Sequence, residues 1–267
     1  MSALLATPLF WYGLTLKIAM TAGIVVAASL IVERSGPFIG ALIAALPTAG
    51  GAALIILAFE HPPQFIADSV IGSLIANAAC AVYALAYAWL AQSRRLLPAL
   101  GGALAIWLGL VLVSRLYPWT IVSVVAVNAL IYPLTIWAGT HFRSEGARSK
   151  VALTARDLAW RAGIVTFVVI AVTLASHSIG STMSGAFAFF PVAMSSFFII
   201  IHTRLGGKAA ASVAAHVQAP LIGLGLGFVA VHFLAVPLGV WWSYLIGLSI
   251  GVAWNGLLWA ARRARRA

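Results

Sequence analysis

The chain has 267 residues, of which 63% are hydrophobic and only 8% charged, and its mean hydropathy is +1.06. So few charges cannot cover the surface of a water-soluble domain, so that class is excluded and lipid is the expected solvent. The net charge of +11 would suggest nucleic acid if it formed one patch, but it is scattered between apolar runs, and no nucleic-acid partner is expected.

A helix of about 20 apolar residues crosses the hydrocarbon core while satisfying its own backbone hydrogen bonds. Taken in chain order, the apolar runs predict nine transmembrane helices, at 8–32, 37–58, 67–92, 96–116, 118–141, 158–177, 181–202, 208–235 and 238–260. No charged region precedes the first run, so it reads as a span and not as a cleavable signal peptide. The breaks are marked by Glu33-Arg34-Ser35-Gly36-Pro37, Glu60-His61-Pro62-Pro63, Ser93-Arg94-Arg95 and Tyr117-Pro118. They continue with the long connection Arg143 to Asp157, then Ser178 to Ser181, Arg204 to Lys208, and Val236-Pro237. Asp68 is expected to open the third span, where the helix dipole favours a carboxylate. The single cysteine, Cys80, lies in an apolar run and excludes an internal disulfide.

Nine crossings sort the positive residues by side. Arg34, Arg94, Arg95, Arg143, Arg148, Lys150, Arg156, Arg161, Arg204, Lys208 and the tail Arg262, Arg263, Arg265 and Arg266 fall on one face. Arg115 and Lys17 fall towards the other. Lys/Arg excess marks the cytoplasmic side, which predicts an outer N-terminus and a cytoplasmic C-terminus in an inner (plasma) membrane. Aromatic residues divide in the same way. Trp11, Tyr12, Tyr117, Trp119, Trp241 and Trp242 belong to the outer interface, and Trp89, Trp137, Trp160 and Trp259 to the inner one.

Displacing the chain by 144 residues aligns 16–91 with 160–235 without a gap. Lys17 then meets Arg161, Gly36 meets Gly180, Pro47 meets Pro191, Ala49 meets Ala193, and Leu90-Ala91 meets Leu234-Ala235. The expected organisation is a first repeat over 1–117 and a linking fifth span with its loop over 118–157. An inverted second repeat with a basic tail follows over 158–267. Inverted repeats with interrupted helices at matching positions point to a transporter site.

Pro47 and Pro191 each lie about ten residues into a span, where proline removes an amide donor and frees a carbonyl. Freed backbone groups at that depth are tolerated only beside protein or a watery cavity. The candidate substrate-binding residues are therefore Pro47, Thr48, Gly50 and Gly51 opposite Pro191, Met194, Ser195 and Ser196. Asn77, Asn128 and His216 are their polar neighbours. Lys17 and Arg161 are candidate charged mouths, with snorkelling to the interfaces as the plainer reading. Ser69, Ser73, Asn77 and Cys80 form one polar stripe, and Ser212, His216, Pro220, Gly223 and Gly227 form another. Asn128 and Tyr132 lie four apart, and Gly247 and Gly251 form a small-xxx-small packing pair.

The stretch from Glu33 through Gly36-Pro37 and Gly40 to Leu46-Pro47, with Phe189-Phe190-Pro191 in the second half, resembles a family of bacterial inner-membrane proteins without a settled substrate. Its members show G-P-x-x-G then L-P, and F-P in the second half; this chain departs from them at Ser181. The architecture is also similar to transporters with crossed broken helices, such as sodium/proton antiporters and bile-acid symporters. Those use a carboxylate at the crossing, and this chain has none near any span centre, so their ion coupling is not implied.

These features predict a small-solute secondary transporter or facilitator working by alternating access, with a neutral, zwitterionic or anionic substrate. The bilayer is its other partner, a homo-oligomer is allowed, and no cofactor or metal is expected. The alternatives are an accessory subunit of a membrane complex, a channel, and an intramembrane enzyme. His216 and His232 stand about 24 Å apart along one helix, and no catalytic dyad or metal cluster is evident, so the chain does not read as an enzyme.

Overall fold

A computed structural model describes residues 48–143 and 154–264. Lys17, Pro47, Trp11, Tyr12, the span at 8–32 and the first half of the span at 37–58 lie outside the described residues, as do Arg148 and Lys150.

The described residues are all-α, with no strand among them, in the order α1 Thr48–Glu60, α2 Pro63–Leu90, α3 Leu96–Val113, α4 Ile121–Gly139, α5 Ala155–Ala188, α6 Val192–Leu205, α7 Gly207–Leu234 and α8 Val240–Ala264. Short 3-10 turns, Ser114–Leu116 and Thr140–Phe142, extend α3 and α4. Six segments are long and apolar enough to cross a membrane: Pro63–Leu90, Leu96–Leu116, Ile121–Phe142, Ser178–Leu205, Gly207–Leu234 and Val240–Ala264. They fall close to the spans expected from the third to the fifth and from the seventh to the ninth.

Local chemistry sets the boundaries. Pro63 begins α2, where its missing N–H costs nothing. Thr120 caps α4 with a reciprocal box, its Oγ1 accepting from the Ser123 amide at 3.2 Å while Ser123 Oγ accepts from the Thr120 amide at 2.9 Å. The expected break at Ser178–Ser181 is a single non-helical residue inside α5, Gly180, at φ 76 and ψ 170. Only glycine adopts that conformation without strain. One expectation is corrected. Because α2 starts at Pro63, Asp68 sits beyond its first turn, where the helix dipole has faded, and it accepts instead from Gln64 Nε2 at 3.0 Å.

The helices divide by what surrounds them. α2 and the Ser178–Leu205 segment are mostly buried, whereas α3, α4 and α8 leave most of their apolar surface outside. Leu116 is 85% exposed and Trp89 68%, and Leu97, Leu130, Trp137, Trp242 and Leu257 are exposed with them. A belt of that size is an error in water and the normal state in lipid. Of the interfacial tryptophans expected, Trp89, Trp137, Trp160, Trp241, Trp242 and Trp259 are exposed, whereas Trp119 is half-buried, its Nε1 donating to the Ser114 carbonyl at 2.8 Å.

α2 and α7 form the spine. Gln218 contacts Ala81, Leu221 contacts Asn77, Gly225 approaches Leu74 and His232 contacts Ala67, so one helix ascends as the other descends and the pair is antiparallel. Two close crossings hold further helices to this spine. At Gly72 and Gly185 a Cβ would overlap the carbonyls of Thr182 and Ser69, which lets α2 and α5 touch backbone to backbone. At Gly227 and Gly247, α7 meets α8 in the same way, with Gly223 and Gly251 one turn away. Ser69, Ser73, Asn77 and Cys80 are all fully buried, and Ser212, Pro220, Gly223 and Gly227 are buried with His216 at the margin.

Helix starts recur at a fixed separation. Pro63 and Gly207, and Leu96 and Val240, each open a helix 144 residues apart, and Asn77 and Leu221, which touch, have the same separation. α2 and α7 both run 28 residues.

Candidate functional site

The interruption at Pro191 is built from three residues. The amides of Phe189 and Phe190 bond back to Ala186 and Phe187, three residues earlier, at 3.2 and 3.0 Å, which tightens the end of α5. Pro191, at φ −76 and ψ 50, is the centre of an inverse γ-turn, closed by Val192 N–H to the Phe190 carbonyl at 2.7 Å. The helix then restarts, with the Ser195 amide reaching the Pro191 carbonyl at 2.9 Å.

Aromatic rings wall this break. Trp107 of α3 stands edge-on to Phe190, 5.1 Å between centroids, and Phe228 of α7 stands edge-on to Phe189 at 5.2 Å. The Cys80 thiol points at the Phe189 carbonyl, 3.9 Å away. Beyond the break, α2 and α6 are joined through side chains. Tyr83 and Ser195 hydroxyls meet at 2.8 Å, Tyr87 reaches His202 Nδ1 at 2.9 Å, and Phe198 stacks between the two tyrosines at 5.7 and 4.3 Å.

A second polar group bridges the spine. Asn77 Nδ2 donates to the Leu221 carbonyl at 3.2 Å, and Gln218 Nε2 returns a bond to the Ala81 carbonyl at 3.0 Å one turn away. From α4, Asn128 Nδ2 donates to the Leu74 carbonyl at 3.0 Å and the Tyr132 hydroxyl to the Asn77 carbonyl at 3.4 Å. Asn77 and Gln218 are 0% exposed and Asn128 8%.

The sequence-derived candidates thus separate into groups. Pro191, Met194, Ser195 and Ser196 are buried together at the break. Asn77 and Asn128 sit together on the spine, around adjacent turns of α2. His216 lies apart, half-buried on α7 with Nδ1 2.7 Å from the Ser212 carbonyl. Thr48, Gly50 and Gly51 are helical, within α1, and Pro47 lies outside the described residues. Arg161 lies in the second turn of α5. Among the described residues no group of His, Cys, Asp or Glu could hold a metal ion.

Sequence reasoning passed over Gln218, Tyr83, Tyr87 and His202. Gln218 was detectable as a lone amide inside an apolar helix. Tyr83 and Tyr87 prolong the Ser69–Ser73–Cys80 stripe, and their hydroxyls needed buried partners that only the fold reveals.

No family model, no curated protein and no solved structure matches the chain. The class that fold and site define is an all-α protein with helices suited to a bilayer, and a broken helix inside it.

Proposed function

We propose that the chain is a small-solute secondary transporter or facilitator of a bacterial inner membrane, working by alternating access. In this reading nine spans are arranged as two inverted four-helix repeats around α4, with the N-terminus outside and the C-terminus in the cytoplasm. The observation that carries the reading is the interruption at Phe189–Pro191, set among the aromatic rings of Trp107 and Phe228. A helix broken there exchanges backbone bonding for a place where a solute can be held. Its counterpart in this reading is Pro47, 144 residues before Pro191 in the sequence. The recurring helix starts and the antiparallel contact of Asn77 with Leu221 support the inverted duplication.

In the mechanism that follows, the solute lies between the Pro47–Gly51 segment and Pro191–Ser196, bound by hydroxyls, amide dipoles and helix N-termini. No carboxylate is called on, which suits neutral, zwitterionic or anionic cargo. The Tyr83–Ser195 and Tyr87–His202 pairs close the cytoplasmic side, and their separation opens it. Purified protein in liposomes, offered a panel of organic anions, amino acids and sugars, tests the reading. Saturable uptake of one class is expected, and passage of none would refute it.

A second reading, an accessory subunit or homo-oligomer, is favoured by Gly101 and Gly109. Both are exposed on α3, and a Cβ at either would meet nothing within 4 Å. Co-purification at fixed stoichiometry, without transport by the chain alone, would select it.

A further inference from the structure

Asn77, Asn128 and Gln218 share an imbalance. Each spends its amide N–H on a main-chain carbonyl, while its side-chain oxygen, Oδ1 or Oε1, is buried without a hydrogen-bond partner. Turning the amides over gives no relief. Asn77 would then set its oxygen against the Leu221 carbonyl, and Gln218 against that of Ala81, acceptor facing acceptor. A buried acceptor with no donor carries the desolvation penalty of a lost hydrogen bond, and three on one seam multiply it. Nothing nearby offsets the penalty, because the Tyr132 hydroxyl donates to the Asn77 main chain.

We propose that the seam of α2, α4 and α7 binds a small monovalent metal cation, sodium, through these three amide oxygens. A hard cation exchanges its hydration shell for neutral carbonyl dipoles, which are what the seam has in surplus. α4 and α7 carry no Asp or Glu and α2 carries only Asp68, which is bonded to Gln64, so the seam lacks the formal charge that a divalent ion demands. The three amides come from three helices: Asn128 and Gln218 reach α2 at the Leu74 and Ala81 carbonyls, and Asn77, between those two positions on α2, reaches the Leu221 carbonyl of α7. Gly225 is part of the construction, since a Cβ there would come within 2.9 Å of Asn77 Nδ2 and displace that amide. The site requires no solute and stands apart from the transport reading. If both hold, the cation is the coupling ion that the missing midplane carboxylates left unassigned.

The test uses the full-length protein in nanodiscs with no solute present, sodium chloride replacing choline chloride at constant ionic strength. Saturable ²²Na⁺ binding is expected, with a sodium-specific rise in Tm of about several degrees, the size that ligand linkage gives well above Kd. Asn77→Leu and Gln218→Leu should each weaken binding by about tenfold or more, as loss of a first-contact ligand does. Should those variants fail to fold, Asn77→Asp supplies the second measurement, since added negative charge should tighten binding. No saturable ²²Na⁺ binding, an equal Tm rise in choline, or undiminished binding in both leucine variants would overturn the proposal and leave water as the occupant. Sodium binding without uptake of any solute would refute transport alone, and uptake without sodium binding would refute the cation site alone.

Discussion

Tyr83 and Ser195 bring their hydroxyls together at 2.8 Å between α2 and α6, and the direction of the bond follows from proton counting. Ser195 has one proton, which it gives to the Pro191 carbonyl at 2.6 Å, so Tyr83 is the donor. One tyrosine of α2 is thereby tied to the proline that ends the break, through the serine one turn further on.

Tyr83→Phe and Ser195→Ala should each lower stability, and a double-mutant cycle should give a coupling of about 0.6 kcal/mol, with ~1.7 as the upper end for such bonds in membrane proteins. Reversible unfolding in mixed micelles measures it. Zero coupling would mean that the pair does not hold α2 to α6.

Cys80 gives a probe of that closure, because it is the chain's single thiol and is fully buried beside Phe189. It should resist a membrane-permeant maleimide in the native protein. Tyr87→Ala, which removes both the stack on Phe198 and the bond to His202, should speed labelling by about tenfold, the factor expected from some 1.4 kcal/mol of lost closure. Equal rates would show that this contact does not govern access to the break.

Gly72→Ala and Gly185→Ala should be among the most damaging substitutions, costing about 3 kcal/mol, because the obstacle is a carbonyl of the neighbouring helix and cannot rotate away. Gly109→Ala and Gly256→Ala are the controls. A methyl at either meets nothing, and gains of about 0.5–1 kcal/mol are expected from helix propensity. Comparable losses at all four sites would contradict the packing at the α2–α5 crossing.

Pro191→Ala restores an amide and permits a continuous helix. Stability should change by no more than about 1 kcal/mol while uptake of an identified solute falls at least tenfold, because the γ-turn is no longer enforced. Full uptake by the variant would remove the break from the mechanism.

Periodicity and punctuation made the span limits legible. Pro62-Pro63, Arg94-Arg95 and Arg204 to Lys208 mark helix boundaries chemically, and hydropathy has no rival signal in so apolar a chain. The interruption at Pro191 was legible for the same reason. Asn77 and Asn128 were visible as amides in hydrocarbon, but their grouping was not, since it depends on which face of α4 meets α2. His216 shows the opposite failure. It shares a helical stripe with buried residues, yet it is only half-buried and places one ring nitrogen against the Ser212 carbonyl of its own helix. Tyr87 with His202 required two helices to run side by side in register, which no spacing within one helix encodes.

Gly206 joins α6 to α7 at φ 88, with open space where a side chain would stand, whereas Pro62, 144 residues earlier, is held at φ −68 before α2. A pyrrolidine ring fixes its torsion, and a glycine leaves it free. The two joints therefore differ in compliance. The turn between α6 and α7 can bend at Gly206, while the corner before α2 is stiffened by Pro62.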